Sequence, residues 1–275
     1  MALIFICADI EGVAGVVNRE ETLITGSDWQ RARERMTMEV LAAIDGARTA
    51  GATGFTVADS HGTATNILPD MLPDDAELVR GTPRPLMMME GVDHGPFTAA
   101  FLLGHHAGIG QLRGGLAHSF SSRLISTLRV NGRDLPECAL NAAIAGQFGT
   151  PVTLVTGDDA CIAEAVEWLG PVETATTKRS IGYFAASGRS PAVIRDDIRT
   201  AAARATARAG EVSPFRLDGL LAVDLTLKWP LMAEMLAYLP MFERTDALSV
   251  RFEAADAATL ARQLQFLLTV LPSLA

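Results

Sequence analysis

Histidine is scarce in this chain, five in 275 residues, and most of it falls beside carboxylates where apolar runs end. Asp9-Ile10-Glu11-Gly12 closes the first such run, Asp59-Ser60-His61-Gly62 the second and Gly104-His105-His106-Ala107 the third. In extended chain, residues two apart face the same side, so Asp9 and Glu11 point together while Ile10 faces the core. Two carboxylates on one face repel each other unless a cation sits between them. Alone, that pair reads equally well as a solvated strand end, and Asp59-Ser60-His61 as an Asx-turn with a surface histidine. Of the neighbours His105 and His106, one faces the crevice and the other points away. His118 follows in a Gly-rich loop.

Taken together these features describe one place. Open α/β sheets bind ligands at the carboxyl ends of their strands, where Asp9, Glu11, His61 and one of His105/His106 converge. Mixed carboxylate and imidazole donors suit Zn²⁺, Mn²⁺ or Co²⁺, and the lack of thiolates argues against a closed structural zinc. A site drawing on about five such ligands holds two ions, bridged by a carboxylate, and turns water into a nucleophile near neutral pH. Gly12-Val13-Ala14-Gly15 lets the backbone turn close to a ligand but lacks the GxGxxG spacing of a dinucleotide site.

The elements that must carry these residues are readable from periodicity. Leu3 to Ala8 is a buried strand. Trp29, Ala32, Met36, Val40, Ala43 and Ala47 recur at spacings of three and four, which predicts an amphipathic helix over 28–50 with Ser27 as N-cap and Gly51 just past its end. Phe55 to Ala58, Ala99 to Leu103 and Val152 to Thr156 read as further strands, Glu137 to Phe148 as a helix. Leu124 to Val130 reads as a strand entering a tight turn at Asn131-Gly132. The alternation predicts an α/β fold, a mainly parallel sheet forming a metal-binding catalytic domain over 1–185. A smaller α+β lobe over 186–275 is expected from a helix at 190–210, a strand at 220–227, a helix at 230–238, a strand at 247–252 and a helix at 255–271.

Composition excludes other classes. The net charge is −9, with no basic block to track a phosphate backbone, so nucleic acid is not the partner. No apolar stretch approaches the roughly 20 residues of a bilayer span, and no signal peptide is readable, so no membrane partner and a cytoplasmic location are expected. Cys7, Cys138 and Cys161 have no CxxC spacing and read as reduced, buried thiols.

The motifs Asp9-Ile10-Glu11-Gly12-Val13-Ala14-Gly15, Asp59-Ser60-His61, Gly104-His105-His106-Ala107, Ala117-His118-Ser119 and Glu137 with Leu140-Asn141-Ala142 stand in an order and spacing that resembles the DppA-type zinc D-aminopeptidases. Val155-Thr156-Gly157-Asp158-Asp159 matches a further stretch. Each motif is short, but five in register is specific. The resemblance implies that Asp9 bridges two zinc ions, Glu11 and His61 complete the first, and His106 and Glu137 the second. It implies His118 as the catalytic residue, a short peptide as substrate, release of an N-terminal D-residue from dipeptides or amides by a metal-activated water, and a ring-like homo-oligomer. Glu137 enters only this way, since a carboxylate opening a helix is ordinarily a favourable first-turn charge. His118 has three open roles: donor to an oxyanion, proton shuttle, or nucleophile.

Where the family is aromatic, before the His106 position, this chain has His105, expected to face the core. His94 is expected in a loop and Lys178-Arg179-Ser180 as a solvated run. Nothing in the residues encodes stereochemistry, so an L-specific peptidase is the alternative within the class. A two-metal phosphohydrolase is disfavoured because the aspartyl-phosphate pattern and the P-loop are missing. A non-catalytic metal-binding protein would not need a free histidine such as His118.

Overall fold

The structure, a computed structural model, describes residues 2–274. In chain order the strands are β1 (Ala2–Ala8), β2 (Ala52–Asp59), β3 (Ala76–Val79), β4 (Ala99–His105), β5 (Ile125–Val130), β6 (Arg133–Asp134), β7 (Val152–Asp158), β8 (Glu173–Gly182), β9 (Ala185–Ser187), β10 (Leu221–Leu227), β11 (Glu243–Arg244) and β12 (Ser249–Ala254). The helices are α1 (Arg19–Thr22), α2 (Trp29–Thr49), α3 (Glu137–Gln147), α4 (Asp159–Leu169), α5 (Pro191–Ala207), α6 (Pro230–Leu236) and α7 (Ala257–Val270).

Seven strands form the main sheet in the order β3-β2-β1-β4-β7-β8-β9. All neighbours pair in parallel except the terminal β8–β9 hairpin. The central strands are covered on both faces, which is why β1 reads Ala-Leu-Ile-Phe-Ile-Cys-Ala rather than alternating with polar residues. Ile4, Ile6 and Ala8 join the core beneath α2 and α5, while Phe5 and Cys7 join the opposite core with α3 and the second sheet. The chain runs outward from β1 to β3 and then returns to β4 on the other side of β1. The strand order therefore reverses between β1 and β4, where parallel α/β sheets open a ligand crevice at the carboxyl ends.

The second sheet, β11-β12-β10-β5-β6, is antiparallel throughout. The strand expected over Leu124–Val130, entering a tight turn at Asn131-Gly132, is β5, and it lies in this second sheet rather than the parallel one. Asn131 and Gly132 both hold left-handed φ, 51° and 81°, the two-residue turn that folds β5 back onto β6 as a hairpin. β5 then pairs with β10 from the C-terminal part of the chain. Conversely α5, beyond residue 186, packs on α2 and covers the main sheet.

Local signals were right where period was strong and missed where composition was mixed. The helix expected over 28–50 is α2, though Asp28, not Ser27, holds the N-cap position and makes no side-chain cap. β3, α4 and β8 have no counterpart in the periodicity reading. In β8, Glu-Thr-Ala-Thr-Thr-Lys-Arg-Ser buries several of its polar side chains, so the apolar pattern is absent. Cys7, Cys138 and Cys161 are buried and unpaired. Among the described residues no helix is long and apolar enough to cross a membrane.

Candidate metal centre

Main chain sets the position of the ligands. Asp9 leaves β1 with its N–H donating to Leu103 O at 2.8 Å, and Gly12 N donates to Gly104 O at 2.7 Å. A Cβ on Gly12 would lie 1.9 Å from His105 O, and one on Gly104 2.3 Å from Asp9 O. Neither place admits a side chain, and Gly104 also holds φ 67°, which other residues avoid. That left-handed step at the end of β4 sends the next two side chains apart. His106 enters the crevice. His105 is fully buried on the other side, with Nε2 3.6 Å from Cys7 Sγ and Nδ1 without a partner. Burial pushes its pKa down to about 4.

Two clusters result, Asp9–Glu11–His61 and His106–His118–Glu137, each with ligand atoms within 4.8 Å of one another. His61 Nδ1 lies 2.8 Å from Glu11 Oε2 and 3.3 Å from Asp9 Oδ1. His106 Nε2 lies 3.7 Å from Asp9 Oδ2 and 3.4 Å from Glu137 Oε1, and His118 Nε2 lies 3.9 Å from the same Glu137 oxygen. Asp9 thus faces both clusters with different oxygens. All five residues nominated as ligands meet here, together with His118.

The outer ring nitrogens explain the orientation. His61 Nε2 donates to Thr22 O at 2.7 Å, His106 Nδ1 to Ala107 O at 2.9 Å and His118 Nδ1 to Leu116 O at 2.8 Å. The second nitrogen of each imidazole therefore faces carboxylate oxygens, which it would meet lone pair to lone pair unless a proton or a cation lay between them. Ligating histidines are held in this way by backbone carbonyls. The donor set, three carboxylates and three imidazoles without thiolate, fits a pair of divalent ions of the zinc type.

The charges follow from the same geometry. Burial, then the neighbouring Glu11 carboxylate, raises the Asp9 pKa. Burial also raises Glu11, but the His61 charge and hydrogen bond outweigh it and leave that carboxyl well below its ordinary range. For Glu137, burial is likewise outweighed, by His106. His61 and His106 lie well above the usual imidazole value, because Glu11 and Glu137 respectively overcome the burial that would lower them. His118 differs: burial and the His106 charge push it down.

The supporting loops were less legible. Asp59 is not in either cluster; its carboxylate accepts from Ile67 N at 2.7 Å and Asn66 Nδ2 at 2.9 Å. Asn66 Nδ2 also donates to His61 O at 2.7 Å, and Trp29 Nε1 closes the set on Asn66 Oδ1 at 2.9 Å. Glu137 stands at the first position of α3 behind Pro136, and Phe120 N donates to its Oε1 at 2.6 Å. Leu116 and Phe120, on either side of His118, hold φ of 54° and 57°, left-handed backbone costing about 1–3 kcal/mol each.

Lys178 corrects an expectation. It is not solvated but 4 % exposed, and its Nζ reaches the loop that follows Glu11. A lysine in a Thr-rich strand gives no periodic signal. The hint was its register opposite Asp158 at the carboxyl edge. His94 is exposed in a short 3₁₀ turn, as the sequence suggested.

A cavity of about 940 Å³ opens over both clusters, lined by Asp9, Glu11, His61, His106, His118 and Glu137 at its base. Its walls include Leu23, Ile24, Met87, Phe120 and Tyr183, with Arg84 and Arg123. That volume takes a short peptide.

Residues 3–266 match the model of peptidase family M55, D-aminopeptidase. The D-aminopeptidase of Bacillus subtilis (strain 168) is 30 % identical over 259 residues, 92 % of each chain. The solved structure of the Zn-dependent D-aminopeptidase DppA from Bacillus subtilis, described as a self-compartmentalizing protease, superposes with a TM-score of 0.91 at 27 % identity, covering 98 % of this chain and 97 % of that one.

Proposed function

This chain belongs to the M55 family of D-aminopeptidases, metallopeptidase hydrolases, and from that premise we propose that it removes the N-terminal residue of short D-amino-acid peptides or amides at a two-zinc centre. The observation that carries the reading is the arrangement of Asp9 between two clusters whose imidazoles are all pinned at the outer nitrogen. Asp9 would bridge the ions, Glu11 and His61 would complete the first position, and His106 and Glu137 the second. Such ions, when bound, polarise a carbonyl and activate water near neutral pH. Zinc is the metal of the similar Bacillus enzyme; manganese and cobalt suit the same donors.

The protein's own groups do the rest. His118 presents Nε2 to the clusters, and its lowered pKa leaves that nitrogen free to accept a proton near pH 7 and then return it to the departing amine. Its Nδ1–H bond to Leu116 O fixes the tautomer this requires. The arginines of the cavity wall, Arg84 and Arg123, suit the carboxylate end of a peptide. A second reading has its own support: the His118 ring nitrogen lies close enough to His106 and Glu137 to be a third ligand of the second ion.

The similar DppA structure is self-compartmentalizing, and a closed, ring-like homo-oligomer is proposed here too. Around α6 this chain exposes Trp229, Leu231, Met235, Tyr238, Leu239 and Met241, Tyr238 at 69 %. An apolar patch of that kind on a folded chain marks an interaction surface.

The test is metal content of the purified protein, with hydrolysis of D-Ala-D-Ala and L-Ala-L-Ala before and after chelation. Two equivalents with chelator-sensitive release of D-alanine alone supports the reading. Cleavage of only the L-peptide keeps the centre and overturns the stereochemistry. A protein that binds no metal and stays inactive with zinc, manganese or cobalt overturns the mechanism.

A further inference from the structure

Lys178 spends its ammonium on main chain. Its Nζ donates to Glu11 O, to Val13 O at 3.2 Å and to Val16 O at 2.6 Å, which accounts for all three of its N–H groups. It makes no hydrogen bond to a side chain and no ion pair within 4 Å among the described residues. The three carbonyls belong to one loop, Glu11-Gly12-Val13-Ala14-Gly15-Val16. Carbonyl oxygens turned toward one point repel one another unless a cation lies among them. Neighbouring groups tie the remaining loop: Thr177 Oγ1 donates to Gly12 O, and Ala14 N donates to Glu39 Oε1 at 2.9 Å. The loop begins at Glu11, whose carboxylate faces His61.

We propose that Lys178 is a built-in cation around which the Glu11–Val16 loop is wrapped, and that it thereby fixes the metal position formed by Asp9, Glu11 and His61. It is a positioning residue, because it touches the backbone of Glu11 and not its carboxylate. The other position draws less on it: beyond the shared Asp9, His106 is set by Gly104 and Ala107, and Glu137 by α3 and Phe120. The inference rests on the two-metal reading above and adds an asymmetry to it. The two ions do not depend equally on the loop after β1. The carbonyl cradle also suits a monovalent cation once the lysine side chain is shortened.

Titration of zinc into wild type, Lys178→Met and Lys178→Ala by calorimetry, with far-UV circular dichroism as the check of folding, tests this without recourse to turnover. Lys178→Met fills the same space without charge. It is expected to bind one equivalent at least tenfold more weakly, with the other unchanged within twofold. Lys178→Ala leaves the cradle open, and potassium or ammonium chloride should restore its weakened equivalent where tetramethylammonium chloride at equal ionic strength does not. Lys178→Met with two wild-type equivalents, or with both weakened alike, overturns the proposal. Should Lys178→Met not fold, Lys178→Ala decides: folding and zinc content identical in potassium and tetramethylammonium salts overturn it. A wild-type protein that binds no zinc instead overturns the metal-centre reading on which it stands.

Discussion

The imidazoles of His106 and His118 lie stacked, ring centroids 4.1 Å apart at an interplanar angle of 11°, and Glu137 Oε1 is within 3.9 Å of both Nε2 atoms. The pair is chemically unequal. His106 is pushed up by Glu137 and His118 is pushed down by burial and by His106, so the two stacked rings hold a proton with unequal ease.

Replacing His118 by Ala separates base from ligand. As a base, its loss should lower kcat by roughly 10²- to 10⁴-fold with two metal equivalents retained. If metal analysis of the folded variant finds one equivalent, His118 is a ligand and the proton must be carried by another group.

Asp9 and Glu137 differ in how many positions they serve. Asp9→Asn should weaken both equivalents, since its two oxygens face different clusters. Glu137→Gln should weaken one. Calorimetric titration of both variants checks this, and an Asp9→Asn protein that loses a single equivalent would remove the bridge.

Glu39 sets a pH dependence outside the metal ligands. Burial raises its carboxyl to about 7 against an ordinary 4.5, and one of its oxygens has no partner. Between those values the native state holds a proton that the unfolded chain has lost, so this group takes away stability as pH rises from about 4.5 to about 7. Above pH 7 the penalty is constant, about 1–3 kcal/mol. Glu39→Gln should therefore raise Tm by several degrees at pH 7.5 and by little at pH 4.5. Thermal melts with equal shifts at both values would contradict the burial account.

His105 works in the opposite sense. Its pKa of about 4 means that the unfolded chain binds the proton first on acidification, so stability is lost as pH falls from about 6.5 toward 4. His105→Phe, which removes the unpartnered Nδ1, should flatten that acid limb and leave two metal equivalents. Loss of metal on this substitution would show that His105 participates in the centre.

The exposed apolar patch around α6 is the surface proposed for assembly. Leu231→Glu combined with Tyr238→Glu should leave the circular dichroism and zinc content unchanged while light scattering reports smaller particles. An unchanged mass would place the contact elsewhere.

What could be read in the chain and what could not divide along physical lines. Asp9, Glu11, His61 and a histidine after β4 were legible because strand ends and two-residue alternation are local properties. Gly104 decides between His105 and His106, and its left-handed φ is a conformational choice that the residue permits without announcing. Glu137 needed the family pattern, for it stands at a helix start far along the chain. Lys178 and Glu39 act through burial, which only the packed sheet creates. β5 was legible as a strand but not as a partner of β10, 93 to 102 residues away in the register pairs from Val223↔Val130 to Leu227↔Ile125. Pairing over that distance is set by tertiary contact rather than by local pattern.

The contact of main chain with main chain at Gly12 and Gly104 has an engineering corollary. The gauge of the metal centre is cut in peptide geometry, while the cavity above it is upholstered with replaceable side chains such as Ile24, Phe120 and Tyr183. A library that randomises the upholstery can retune which peptide fits and leave the gauge intact. One that touches either glycine bends the frame itself.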